Sequence, residues 1–192
     1  MSNTALNYAI PNNALRMALM KTEKDFVLPF SQCKLGDFVI TVADVEDAQR
    51  KWGDGIVRIA TAHNTGMDYV ERARKHIKSL YAHDISPVLF KPTLAVDIQF
   101  RSTFEGALSY FVAGNDEYPE DKGFAIKGWT NVRFENEGII LNTTSATVMG
   151  NYFFMSPEGD EVKVEFSFGY IVDSDGSLRI NLHHSSMPAS FE

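Results

Sequence analysis

The chain has 192 residues, 44% hydrophobic and 22% charged, a composition that excludes a disordered or collagen-like protein and suits one packed core. Its 18 Lys and Arg against 25 Asp and Glu leave a net charge of −7, which argues against a partner gripped through a phosphate backbone, and so against nucleic acid. No run nears the roughly 18 apolar residues that span a bilayer, and no basic region precedes an apolar stretch at the N-terminus, so no membrane partner is expected and a cytoplasmic location is the default.

Residues 1–34 read as an N-terminal arm. Pro11, Asn12 and Asn13 break a short apolar stretch there, and Leu15, Ala18 and Leu19 suggest a turn or two of helix. Cys33, the single cysteine, excludes an internal disulfide and a Cys-based zinc cluster within the chain. Residues 35–192 read as the folded domain. Val45, Ala48, Trp52, Ile56, Ile59 and Ala60 recur at three- and four-residue steps and predict an amphipathic helix over roughly 43–63, stopped by Gly66. Gly53 and Gly55 each weaken it by about 1 kcal/mol relative to Ala, which makes sense where another element approaches the backbone closely. A second helix places Val70, Ala73, Ile77, Leu80 and Tyr81 on its apolar stripe, Asp68 at its cap, and Arg72, Arg74, Lys75 and Lys78 on the wetted remainder.

After Asp84 the period becomes alternating. Strands are predicted at roughly 86–93, 98–112, 123–135, 138–155, 161–172 and 177–186, forming an antiparallel meander with turns at 136–138, 157–160 and 173–176. Helices first and a long curved sheet second is an α+β pattern, with the helices packed on one face of the sheet. Tyr152, Phe154, Val164, Phe166 and Phe168 are assigned to the outer face, where they are too apolar to stay wet. They therefore predict a homodimer or larger ring built through that face. The loop 114–123, with Asp116, Glu117, Glu120 and Asp121, lacks calcium-loop spacing and reads as a solvated hairpin loop without chemistry.

The chain contains no Walker-type phosphate loop, dinucleotide fingerprint, Gly-x-Ser-x-Gly elbow or His-Glu-x-x-His. His63, His76 and His83 read as exposed or locally hydrogen-bonded helix residues, and His76 and His83 lie about 10 Å apart along a helix, too far to share a zinc ion. His183 and His184 are adjacent on a strand, so they point to opposite faces, which argues against a two-histidine metal site. Leu178, Ile180 and Leu182 share a parity with His184 and Ser186. If the apolar three face the helices, His184 and Ser186 point inward while His183 and Ser185 point outward; a bulge near Pro188 exchanges the two pairs. Thr93 and Tyr110 bring hydroxyls into otherwise apolar stretches, with Tyr110 in phase with Leu108 and Val112 on a strand. A His and a Ser at the end of a strand are more often a satisfied polar core pair than a catalytic one, whereas core packing and a substrate explain the Tyr110 hydroxyl equally well.

Four segments together resemble the iota-class carbonic anhydrases: Ala48–Val57, Lys91–Ala95, Ala107–Phe111 and the ending His183-His184-Ser185-Ser186-Met187-Pro188. That class is related to the association domain of calmodulin-dependent kinase and to the SnoaL-like and nuclear-transport-factor-2-like superfamily, and the resemblance runs from about residue 35 to the end. It implies a cone-shaped roll and interconversion of carbon dioxide and bicarbonate between the helices and the concave sheet. Some members are described as metal-free and others have been linked to manganese, so it implies no metal cofactor, with manganese and zinc as the ions to test. In the metal-free picture a Thr, a Tyr and a Ser hold the bicarbonate oxygens, and a His accompanies the Ser. By motif these are Thr93, Tyr110, Ser186 and His184, the last two chosen by parity, with Ser185 and His183 as alternates. Without a cation to acidify water, catalysis then rests on donors aimed at developing charge and on an imidazole accepting a proton. The alternatives are a non-catalytic oligomerising or small-anion-binding module of the kinase-association type, and a SnoaL-like isomerase, which would need an Asp or Glu base in the pocket.

Overall fold

Thr41 opens the first helix, α1 (Val42–Asn64), through a capping box in which its hydroxyl accepts from the Asp44 N–H and the Asp44 carboxylate accepts from the Thr41 N–H. The computed structural model describes residues 39–190, so the arm and Cys33 lie outside the described residues. Asp68 caps α2 (Tyr69–Leu80) as the sequence predicts, accepting from the Glu71 N–H. The chain continues through β1 (Leu89–Lys91), α3 (Phe104–Val112), a 3₁₀ turn (Phe124–Ile126) and four long strands: β2 (Asn131–Leu141), β3 (Ser145–Met155), β4 (Glu161–Val172) and β5 (Leu178–Ser186). The sheet order is β1-β5-β4-β3-β2. Its long strands are antiparallel, while β1 runs parallel to β5, a departure from the expected all-antiparallel meander. Among the described residues no helix is long and apolar enough to cross a membrane.

The α+β expectation holds, with three local corrections. The predicted strand 98–112 is instead α3, capped by Thr103 and buried from Gly106 to Val112. A short helix apolar on every side shows no 3.6-residue stripe, so periodicity cannot tell it from a buried strand. The predicted turn at 136–138 is a β-bulge inside β2, and the chain reverses between Leu141 and Ser145 instead. The bulge turns the Asn136 amide toward α1, where it exchanges two hydrogen bonds of 2.7 and 3.0 Å with buried Gln49.

The third correction concerns the face of the sheet. Tyr152, Phe154, Val164, Phe166 and Phe168 are all buried against the helices, so they form the core and give no ground for an interface on the outer face. At their centre Trp52 stands edge-on to Phe111, Phe134, Phe154, Phe168 and His183. The close approaches expected at the two helix glycines are present: a Cβ on Gly53 would sit 3.1 Å from the Val132 side chain, and one on Gly55 would sit 2.0 Å from His76 Nδ1. His76 is therefore not the exposed helix residue expected but a buried one, packed beneath α1. Gly55→Ala, although a better helix former, is expected to lower stability by about 1–3 kcal/mol, because its Cβ would overlap the His76 ring and force it to move; a thermal melt reads the loss.

Candidate active site

β5 carries the residues on which the site depends, and a second bulge decides which way they point. Gly169 pairs with Leu182 and Tyr170 with Ile180, so Asn181 is the extra residue on β5. Ile180 faces the core as expected, and the bulge then reverses the alternation: His183 and Ser185 are each 2% exposed, whereas His184 is exposed and Ser186 only half-buried. The inward orientation expected of His184 and Ser186 is thus corrected. Ser186 Oγ donates to Glu165 Oε2 at 3.0 Å on the outer face.

Parallel pairing of β1 with β5 sets Phe90 beside His183 and brings the turn that follows β1 over the end of β5. In that turn Thr93 Oγ1 donates to Ser185 Oγ at 2.9 Å. Tyr110 reaches the same place from α3, stacked on Phe124 at 5.7 Å and edge-on to Phe90 at 5.9 Å. Burial pushes its phenol up, against smaller opposing contributions from the Leu94 backbone and the Thr93 hydroxyl. Tyr152 on β3 meets the pair from the floor of the sheet: burial pushes it up too, with the Ser185 and Thr93 hydroxyls pulling the other way. Four hydroxyls from four elements therefore converge, and three of them belong to residues that are almost completely buried.

His183 lies beside this cluster. Its ring stacks on Phe90 at 4.7 Å and meets the Phe168 ring edge-on at 4.3 Å. Its Nδ1 is 2.8 Å from Tyr81 Oη, which accepts from Trp52 Nε1 at 3.1 Å, while its buried Nε2 has no partner among the described residues. Burial holds this imidazole well below its ordinary value, with His184 and His76 adding to the shift, so it is neutral at physiological pH.

The loop read as solvated and without chemistry is a clamp for this site. Arg101, fully buried, pairs with Glu120 at 3.1 Å and Asp121 at 2.9 Å, and Asp121 also accepts from Ser109 Oγ at 2.6 Å on α3. Glu120 is held down to about 2, chiefly by the Val96 N–H, with the Asp97 and Ile98 N–H groups and Arg101 contributing. These contacts tie the segment after Thr93 to the helix that carries Tyr110. They also engage the two nearest carboxylates, so neither is a free base of the kind an isomerase requires. A surface groove of about 850 Å³ between α1 and α2 is lined by solvated charges such as Arg58, Arg72 and Lys75 and includes none of the four hydroxyls.

A family model for metal-independent carbonic anhydrases matches residues 43–187, which run from the first turn of α1 to past the end of β5. A metal-independent carbonic anhydrase of Nostoc sp. is 40% identical over 152 residues, or 78% of this chain and 74% of that protein. The chain belongs to the metal-independent carbonic anhydrase family. The crystal structure of an iota-carbonic anhydrase from a cyanobacterium, complexed with bicarbonate, matches with a TM-score of 0.78 at 38% identity, covering 80% of this chain and 95% of that one. A putative calcium/calmodulin-dependent protein kinase II association domain from Xanthomonas campestris shares the fold at a TM-score of 0.51 and 20% identity, covering 81% and 96%. As a carbonic anhydrase of this family the protein uses no metal cofactor, and among the described residues no group of three or more His, Cys, Asp or Glu could hold a metal ion.

Of the residues singled out in the sequence, the structure brings Thr93, Tyr110, Ser185 and His183 together and leaves His184 and Ser186 outside. Three residues were missed in these roles. Tyr152 was assigned to the wrong face, Tyr81 was read as part of an apolar stripe, and Trp52 as core alone. The indole and phenol groups were the available signal, since a buried Trp N–H or Tyr O–H demands a partner.

Proposed function

We propose that this carbonic anhydrase hydrates carbon dioxide on the hydroxyl cluster of Thr93, Tyr110, Tyr152 and Ser185. The observation that carries the reading is the Thr93–Ser185 hydrogen bond in a nearly dry interior, in a fold that matches a bicarbonate-bound relative at 38% identity. As water attacks the carbon, negative charge grows on the carbon dioxide oxygens. Hydroxyls already aimed into the site stabilise that charge without reorganising, and the low-polarity walls supplied by Phe90 and Phe111 strengthen each such contact.

No cation acidifies the attacking water here, so the proton must leave through the protein's own groups. A hydroxyl both accepts and donates, so Ser185 and Thr93 can take the proton from water on one side while passing one on from the other. Thr93 is only half-buried, and the chain of hydroxyls therefore ends near solvent. The test is stopped-flow carbon dioxide hydration on chelator-treated protein, with manganese and zinc added back as controls. The expected result is a rate above buffer that chelation does not lower and metal does not raise. A rate equal to buffer under every condition overturns the reading and leaves an anion-binding module.

A further inference from the structure

The hydrogen-bond chain behind His183 has a direction. An indole N–H only donates, so the 3.1 Å contact from Trp52 uses a lone pair of Tyr81 Oη. Tyr81 is fully buried, and its own hydrogen has one acceptor among the described residues, His183 Nδ1 at 2.8 Å. That bond requires a bare lone pair on Nδ1, so the neutral imidazole carries its hydrogen on Nε2. In the opposite arrangement both neighbours would donate into the phenol oxygen, its hydrogen would be stranded, and Nε2 would be an acceptor with no donor. Stranded buried polar groups are what folded proteins avoid.

We propose that Trp52 and Tyr81 are positioning residues that lock His183 as the Nε2–H tautomer, so that it serves carbon dioxide hydration as a hydrogen-bond donor to the developing oxyanion and not as the proton acceptor. The Nε2–H is the ring atom left without a protein partner, on the same face of β5 as Ser185 and one pleat away. The lock is itself held. Arg179 Nη2 donates to the Tyr81 and Lys78 carbonyls at 2.7 and 2.6 Å, and its guanidinium is pinned by Asp84 and Asp173. Phe90 and Phe168 fix the plane of the imidazole. Burial of the ring is consistent with this assignment, since a doubly protonated imidazolium would need an acceptor at Nδ1 where the phenol donates.

The proposal rests on the hydroxyl cluster being the active site, and the experiment separates the two. Histidine ¹⁵N NMR on the full chain in carbon-dioxide-free buffer reports the tautomer directly. The expected result is a protonated Nε2 and an unprotonated Nδ1 at His183, with both tautomers populated in Tyr81→Phe. In parallel, Tyr81→Phe is expected to lower kcat with little change in KM, by the same factor by which the NMR shows the Nε2–H fraction to fall, about twofold where the two tautomers are equally populated. Tyr170→Phe, which removes another buried phenol oxygen without touching this chain of bonds, is expected to keep wild-type kcat. A protonated Nδ1 in an active wild type overturns the lock alone, as does a tautomer unchanged in Tyr81→Phe. A wild type that hydrates carbon dioxide no faster than buffer overturns the donor role together with the site, whatever the tautomer.

Discussion

Replacing Ser185 by alanine is expected to slow carbon dioxide hydration by about 10²-fold or more, while the same change at the neighbouring Ser186 leaves the rate unaltered. The difference follows from the bulge at Asn181, which turns Ser185 into the interior, 2.9 Å from Thr93 Oγ1, and Ser186 out to Glu165. Removing an oxyanion donor from a water-excluded site typically costs that factor, because its contact is made in full only as charge develops. Tyr110→Phe deletes one oxygen from the same cluster and keeps the ring stacked on Phe124, so a loss of similar size with an unchanged melting curve is expected. His184→Ala is expected to do little, since the ring is exposed on the outer face. Stopped-flow rates on the four variants check all of this. If Ser186→Ala were the damaging serine variant, the orientation of the whole β5 terminus described above would be wrong.

Acid is expected to destabilise the fold well before carboxylates titrate. His76 is pushed down to about 3 and His183 well below its ordinary value, in both cases chiefly by burial. The sign is fixed by which state binds protons. Below about pH 6.5 the unfolded chain protonates both imidazoles and the folded one does not, so stability falls with falling pH, by about 1.4 kcal/mol per pH unit for each residue. By pH 5 His76 alone is expected to cost about 2 kcal/mol relative to neutral pH, and His183 adds a cost of the same sign. His83, half-buried and also lowered by burial, adds a smaller contribution of the same sign. The lowered carboxylates, Asp47, Glu120, Glu161 and Asp175, titrate below this window and do not obscure it. Urea unfolding between pH 5 and 7 measures the slope, and His76→Leu should roughly halve it. A slope near zero would mean that neither ring is held neutral by the fold.

How much of this could be read from the residues alone differs element by element, for physical reasons. α1 and α2 carry one-sided apolar stripes and cap residues, signals that depend only on local geometry, and both appear nearly where predicted. The turns at 157–160 and 173–176 contain the Gly and Asp that such turns demand, and both are present. α3 has a cap residue in Thr103 but no one-sided apolar stripe, because it is buried on every side from Gly106 to Val112. The two bulges were illegible for a different reason. Asn136 answers to a partner distant in sequence, Gln49, and Asn181 to its register against the neighbouring strand β4, and a one-residue insertion reverses every side chain beyond it. That is why parity turned His184 and Ser186 inward where the structure buries His183 and Ser185. Thr93 and Tyr110 come together although Tyr110 was placed by strand phase on what is a helix, because a residue buried on a helix with every side covered points inward whichever period is counted.

The clamp at Arg101 has a consequence for how this enzyme fails. Tyr152, His183 and Ser185 stand on long central strands, whereas Thr93 and Tyr110 are set on an irregular segment and a nine-residue helix that one buried cation fastens to Glu120 and Asp121. Between them, Leu94, Val96, Ile98 and Phe100 lie exposed and add little to the core. Local openings draw on such thinly packed parts long before the sheet separates. With the hydroxyl cluster as the proposed site, loosening the clamp is expected to disperse the hydroxyls while the β3–β4–β5 ladder persists, so activity and foldedness become two separate thermometers, of which the catalytic one is expected to break first.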